Sequence, residues 1–200
     1  MLQLLFLVLF LYCIILHEIA HGYAAYLLGD DTAYRAGRLS LNPLVHIDPV
    51  GSILIPALLL FSHAPFVFGF ARPVPINPFK FHKISNLRAG IAICSAAGPG
   101  ANLVLGFVFC QMAKMSFNPY AAQLFLYAAG LNVILAIFNL LPIPGFDGAH
   151  ILAALLPREW FIRYKALEPY GMIIALVLLA TGVIGWVLFP LVEVILRWMC

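Results

Sequence analysis

A run of 27 residues, 2–28, is apolar along almost its whole length, yet it carries His17, Glu18 and His21. It contains no other Lys, Arg, His, Asp or Glu. As one helix the run reaches about 40 Å at 1.5 Å per residue, enough to cross a bilayer with some tilt. It stops at Gly29, followed by Asp30 and Asp31, which reads as a helix end solvated by polar groups. Ionisable side chains inside such a helix are costly unless they pair or bind something. Whatever the chain folds into must satisfy that requirement.

The solvent is lipid. Of 200 residues 64% are hydrophobic and 10% charged, whereas a soluble domain carries about a quarter charged residues. That composition excludes a soluble metalloprotease. The net charge of +3 lies between apolar segments, where topology signals sit, and no basic run is long enough for nucleic acid. Cys13, Cys94, Cys110 and Cys200 form no C-x-x-C pair, so they read as small packing residues rather than a metal knuckle or a disulfide framework. Residues 1–16 lack a basic start and a small-residue cleavage site, so the first run reads as a retained transmembrane helix and not a signal peptide.

Further along, residues 50–70 are apolar but interrupted by Ser62, His63 and Pro65. Residues 71–81 hold prolines at 73, 75 and 78 and must be extended. Two clear spans follow at 89–115 and 121–141, then a short helix at 147–156, and a long apolar helix at 170–198 closes the chain. The expectation is a single membrane-embedded domain over residues 1–200, all-α and polytopic. Three transmembrane helices form its core, joined by a re-entrant hairpin and a C-terminal transmembrane helix.

His17-Glu18-Ile19-Ala20-His21 is the motif H-E-x-x-H. On a helix its two imidazoles lie about 40° apart in projection, so both reach one metal ion, and Glu18 lies about 60° from His21. Glu18 can thus serve as general base toward a water without being a ligand. From six His and four Glu, chance supplies this pattern in fewer than about one chain in a hundred. A hydrolytic zinc site has three protein ligands. Among eight acidic residues, Asp147 is the strong candidate for the third, because Pro142 and Pro144 break the helix before it and can turn its side chain back into the bundle. The competing reading makes Asp147 the N-cap of the short helix. Glu193, Glu159 and Glu168 read as interfacial or solvated.

Charge arbitrates the topology. If residues 50–70 cross the membrane, Lys and Arg divide seven against four; if they enter and return, the division is nine against two. The positive-inside bias favours the return, which also brings His21 and Asp147 to the same end. The amino terminus is then outside and the active site faces the cytosol.

Together these residues resemble the site-2 protease family of intramembrane metalloproteases. Besides His17 to His21, the chain has Asn139-Leu140-Leu141-Pro142-Ile143-Pro144-Gly145-Phe146-Asp147-Gly148, similar to the family's N-x-x-P…D-G segment. Ala97-Gly98-Pro99-Gly100-Ala101-Asn102 looks like its G-P-x-x-N, and residues 42–49 resemble a stretch of the short bacterial members. The resemblance covers residues 17 to about 150. It implies one zinc ion (Zn2+) held by His17, His21 and Asp147, Glu18 as base, and a substrate that is a transmembrane segment of another protein in a bacterial or archaeal cytoplasmic membrane. Phe146 stands where Leu is usual and His150 where Arg is common, which bears on the pocket's charge. Asn139, Asn102 and His46 are weaker candidates for substrate contact or for supporting a ligand, with Asp48 beside His46. Residues 72–77 offer an edge for a substrate strand. Rival readings are a membrane zinc transporter and a non-catalytic scaffold for transmembrane helices. The oligomeric state is left open.

Overall fold

The structure, a computed structural model, describes residues 2–62 and 71–200; the regular elements among them are all helical, with no strand. Helix α1, Leu2–Leu27, carries the H-E-x-x-H motif in its second half, and one turn, α2 (Thr32–Arg35), follows. A π-type turn, Pro49–Leu54, runs into α3, Ile55–Phe61. Helices α4, Leu87–Met115, and α5, Pro119–Leu140, form an antiparallel pair, each begun by an Asn (Asn86, Asn118) whose side chain accepts two backbone N–H groups. Then come α6 (Asp147–Leu155), α7 (Arg158–Lys165), α8 (Gly171–Ala180) and α9 (Val183–Met199). Among the described residues, three helices are long and apolar enough to cross a membrane: α1 over Val8–Leu27, α4 and α5. The chain is an integral membrane protein of polytopic helical type.

The segment between His46 and Arg72 starts and ends at the same place. The π turn and α3 together hold 13 residues, about 20 Å, too short for a hydrocarbon core of about 30 Å. The Arg72 N–H donates to His46 O at 2.9 Å, so the two ends of the excursion meet. Arg38 clamps the returning chain by donating to Arg72 O and Pro73 O. The tip anticipated at His63–Pro65 lies outside the described residues. With its ends joined, α1 and α5 run parallel, and α4 packs antiparallel between them.

The stretch expected to be extended over 71–81 crosses α1 without regular structure at 71–77, then departs from expectation in a 3-10 turn at Pro78–Lys80, begun by the Asn77 side chain accepting the Phe79 N–H. It offers little edge for strand pairing. The N–H groups of Arg72, Val74 and Asn77 already donate to His46 O, Glu18 Oε2 and Asp30 Oδ2, and prolines 73 and 75 carry none. Asp30 is likewise no solvated helix stop. It is fully buried and accepts from the backbone N–H groups of Thr32 and Asn77 and from the Thr32 hydroxyl.

Two features depart from the expected C-terminal region. The helix anticipated over 170–198 is broken at Thr181-Gly182, where Gly182 takes φ +76°, a left-handed value that stops a helix, and the chain turns by 79°. Helix α9 then packs along α5, where Val133, Ile137, Ala175, Ile184, Leu188 and Val192 form an apolar core. Cys110 and Cys200 are not mere packing residues: they form a disulfide that ties α4 to the last residue of the chain. Cys13 and Cys94 are buried free thiols.

Candidate metal centre

The second half of α1 places His17 and His21 one turn apart on the face toward α4. Taking 1.5 Å per residue, they lie about 9–15 Å inside the end of α1 at Leu27. Both are buried, with 6% and 8% of their surface exposed. Their Nε2 atoms are 3.0 Å apart, and each is 3.2 Å from Asp147 Oδ2. The third residue arrives because Pro142 and Pro144 end α5 and the chain doubles back into α6. Gly148 makes the close turn possible: a Cβ there would lie 2.0 Å from Leu140 O. Asp147 is the first residue of α6, and its side chain caps no N–H group; it points at the two imidazoles instead.

Helix α4 supports both histidines from the other side. His21 Nδ1 lies 2.7 Å from Cys94 O and His17 Nδ1 lies 2.6 Å from Asn102 Oδ1. The rings rest over Gly98, where a Cβ would meet His21 Nε2 at 2.3 Å and His17 Cε1 at 2.7 Å. Pro99 beside it removes one helical hydrogen bond at the same level.

The residues fit a metal on the chemistry of their donors. A carbonyl only accepts, so His21 Nδ1 carries the N–H toward Cys94 O, and the neutral ring presents a lone pair at Nε2. That lone pair faces another imidazole nitrogen and a carboxylate oxygen in a buried setting. All three donor atoms lie within 4.8 Å of one another. Such convergence is repulsive without a cation, and two imidazoles with one carboxylate suit zinc in a tetrahedral site with one position open.

A cavity of about 260 Å³ opens beside the centre, lined among others by His17, Glu18, His21, Val74, Asn139, Asp147 and His150. Glu18 Oε2 accepts the Val74 N–H at 2.9 Å. Asn139 lines the cavity while its Nδ2 donates to Leu135 O. His150 pairs with Glu168 at 3.3 Å. His46 is buried in the loop with Nε2 on Ser40 O, and Asp48 accepts from Val50 and Gly51 N–H, so neither supports a ligand imidazole. Sequence reading missed Val74 and Cys94 as parts of the site, and took Gly98 only as part of a motif, not as the floor beneath the two rings. Only Gly98 carried a local signal, its place in the Gly-Pro pair.

A helical bundle in a membrane, with an H-E-x-x-H helix and an aspartate meeting at a zinc-type centre, defines a metalloprotease-like class. The sequence model of Peptidase family M50 matches residues 112–182. "Putative zinc metalloprotease YwhC" of Bacillus subtilis is 40% identical over 188 residues, covering 89% of this chain and 81% of that protein. "Putative zinc metalloprotease Rip2" of Mycolicibacterium smegmatis is 31% identical over 180 residues, covering 88% and 67%. The Rip2 of Mycobacterium tuberculosis H37Rv is 31% identical over 178 residues, covering 86% and 65%. No solved structure matches. The chain belongs to peptidase family M50, the site-2 protease family, and its cofactor is zinc.

Proposed function

We propose that this protein is an intramembrane zinc metalloprotease that hydrolyses peptide bonds within or near transmembrane segments of other membrane proteins. The observation that carries the reading is the meeting of His17, His21 and Asp147 beside Glu18, in a cavity below the end of the bundle. Zinc held by those three residues would polarise the scissile carbonyl and make a water acidic enough to attack it.

The chain's own groups supply the rest. The Val74 N–H occupies Glu18 Oε2, which leaves Oε1 as the atom that takes a proton from the attacking water. The same oxygen then returns that proton to the departing amide nitrogen. A substrate helix hides its carbonyls in its own hydrogen bonds, so it must lose about a turn before one reaches the centre. Asn139, at the cavity wall, is placed to bond the freed backbone. The whole of residues 1–200 acts as one domain. Nine of eleven Lys and Arg, from Arg35 to Lys165, lie at the end nearer the metal centre, and only Lys114 and Arg197 at the other, so the centre faces the cytosol.

The test is cleavage of a single-span substrate by purified protein in detergent, wild type beside Glu18→Gln. Wild type is expected to cut in a zinc-dependent way, and Glu18→Gln to bind zinc without turnover. Undiminished turnover by Glu18→Gln would remove Glu18 as base. Failure of zinc-loaded wild type to cut any of several helices would remove the protease reading in favour of zinc transport or scaffolding.

A further inference from the structure

For His17 to give Nε2 to a metal beside Asp147, its Nδ1 must keep the proton, yet the partner in contact with Nδ1 does not decide that by itself. Its Nδ1 faces the Asn102 side-chain amide, and an amide can turn either edge to a ring nitrogen. Turned one way, Asn102 accepts from Nδ1–H and leaves Nε2 with its lone pair. Turned the other way, it donates to Nδ1, drives the proton to Nε2, and blocks the position that a metal needs.

Asn102 Nδ2 donates to Asn132 Oδ1 at 2.9 Å, and Asn132 Nδ2 donates to Ala128 O at 2.9 Å and to Cys13 Sγ at 3.0 Å. Both asparagines are 0% exposed. Ala128 O is a backbone carbonyl and has no proton to give. It therefore forces the NH2 edge of Asn132 toward itself, which turns Asn132 Oδ1 to Asn102. That in turn calls up the NH2 edge of Asn102 and leaves its Oδ1 for His17. The polarity of the whole chain is set at a carbonyl on α5, three hydrogen bonds away from His17.

We infer that Asn132 is a positioning residue that locks the His17 tautomer required for metal binding, acting through Asn102. It touches neither the ligands nor the cavity. Cys13, one turn before His17 on α1, closes the network across α1, α4 and α5, but a thiol both donates and accepts, so it does not set the direction. This inference rests on the zinc-centre reading.

The experiment measures zinc affinity by competition with a chromogenic chelator, so it needs no substrate. Asn132→Leu and Asn132→Ala are expected to bind zinc about 10–100-fold more weakly than wild type, the range for loss of a partner that orients a ligand. Adding Asn102→Asp to either is expected to restore affinity to within about threefold, since both carboxylate oxygens accept from His17 Nδ1–H however the group is turned. A merely structural role for Asn132 would not be rescued by a buried acid. Cys13→Ala is expected to bind as wild type. In parallel, nitrogen NMR of histidine-labelled, zinc-free wild type should find His17 protonated at Nδ1. Wild-type affinity in both Asn132 variants, absence of rescue, or a bare Nδ1 in wild-type His17 would each overturn the inference. A wild type that binds no zinc would instead overturn the metal-centre reading beneath it.

Discussion

Replacing Gly98 by alanine adds one methyl group at the point where both histidines rest. Its Cβ would lie 2.3 Å from His21 Nε2, 2.6 Å from His21 Cε1 and 2.7 Å from His17 Cε1. Carbon contacts are comfortable at about 3.5–4.0 Å, so the imidazoles must retreat by about 1 Å. They have little room, because Cys94 O and Asn102 Oδ1 hold their Nδ1 atoms at 2.7 and 2.6 Å. Metal bonds tolerate about 0.2 Å, so two of three ligands are put out of position. The expected loss in zinc affinity is about 100-fold or more, equivalent to roughly 2.7 kcal/mol. Helix preference works in the opposite direction, since alanine is favoured over glycine in a helix interior by about 1 kcal/mol. Gly100→Ala is the control: it lies on the same helix, and nothing stands within 4 Å of its Cβ position. It should keep wild-type zinc affinity and gain slightly in thermal stability. Chelator competition and cleavage of a single-span substrate read both variants. Gly98→Ala with zinc affinity within about threefold of wild type would refute the geometry argued for the centre.

Gly148→Ala should act on the third ligand, because a methyl group 2.0 Å from Leu140 O forces α6 away from α5; zinc content after dialysis should fall while helicity persists. Asp30→Ala leaves the half-buried N–H groups of Thr32 and Asn77 without their acceptor, at a cost of about 1 kcal/mol each, read as a lower melting temperature in detergent. Asp31, exposed after α1, is held below the usual carboxylate range by its hydrogen bond to Lys80 and then by Arg35. Its contribution is complete above the unfolded value of about 3.9 and disappears as pH falls through the lower folded one, so melting curves of wild type and Asp31→Asn should converge only in strong acid. Under non-reducing conditions, alkylation of the intact protein should leave Cys110 and Cys200 unlabelled; reduction should open exposed Cys200 to the reagent, whereas Cys110, 0% exposed, should be labelled only on denaturation, as should buried Cys13 and Cys94.

The long helices and the chemistry of α1 were legible because each is a local signal: apolar length for α1, α4 and α5, and fixed spacing for His17, Glu18 and His21. Charge pointed to a return of residues 50–70 to the end they start from, and the Arg72 to His46 hydrogen bond joins the flanks of that segment. What escaped reading depends on contacts distant in sequence. Asp30 looks like an exposed helix stop until Asn77 folds over it. Gly182 is one glycine in an apolar run, and only its positive φ breaks that run. Cys110 and Cys200 are 90 residues apart. Asn132 stands in a helix so uniformly apolar that its inward face has no period to mark it.

The disulfide divides the molecule in a way the helices do not. It closes a covalent ring from Cys110 to Cys200, and that ring contains α5, α6 and Asp147. His17 and His21 lie outside it, on a strand of chain that reaches the ring only through the first part of α4. Coordination by all three residues is therefore a clasp between a closed loop and an open arm. With zinc bound the protein would be doubly cyclic; without it, α1 is held to the ring by packing and hydrogen bonds, with no covalent link beyond the chain itself.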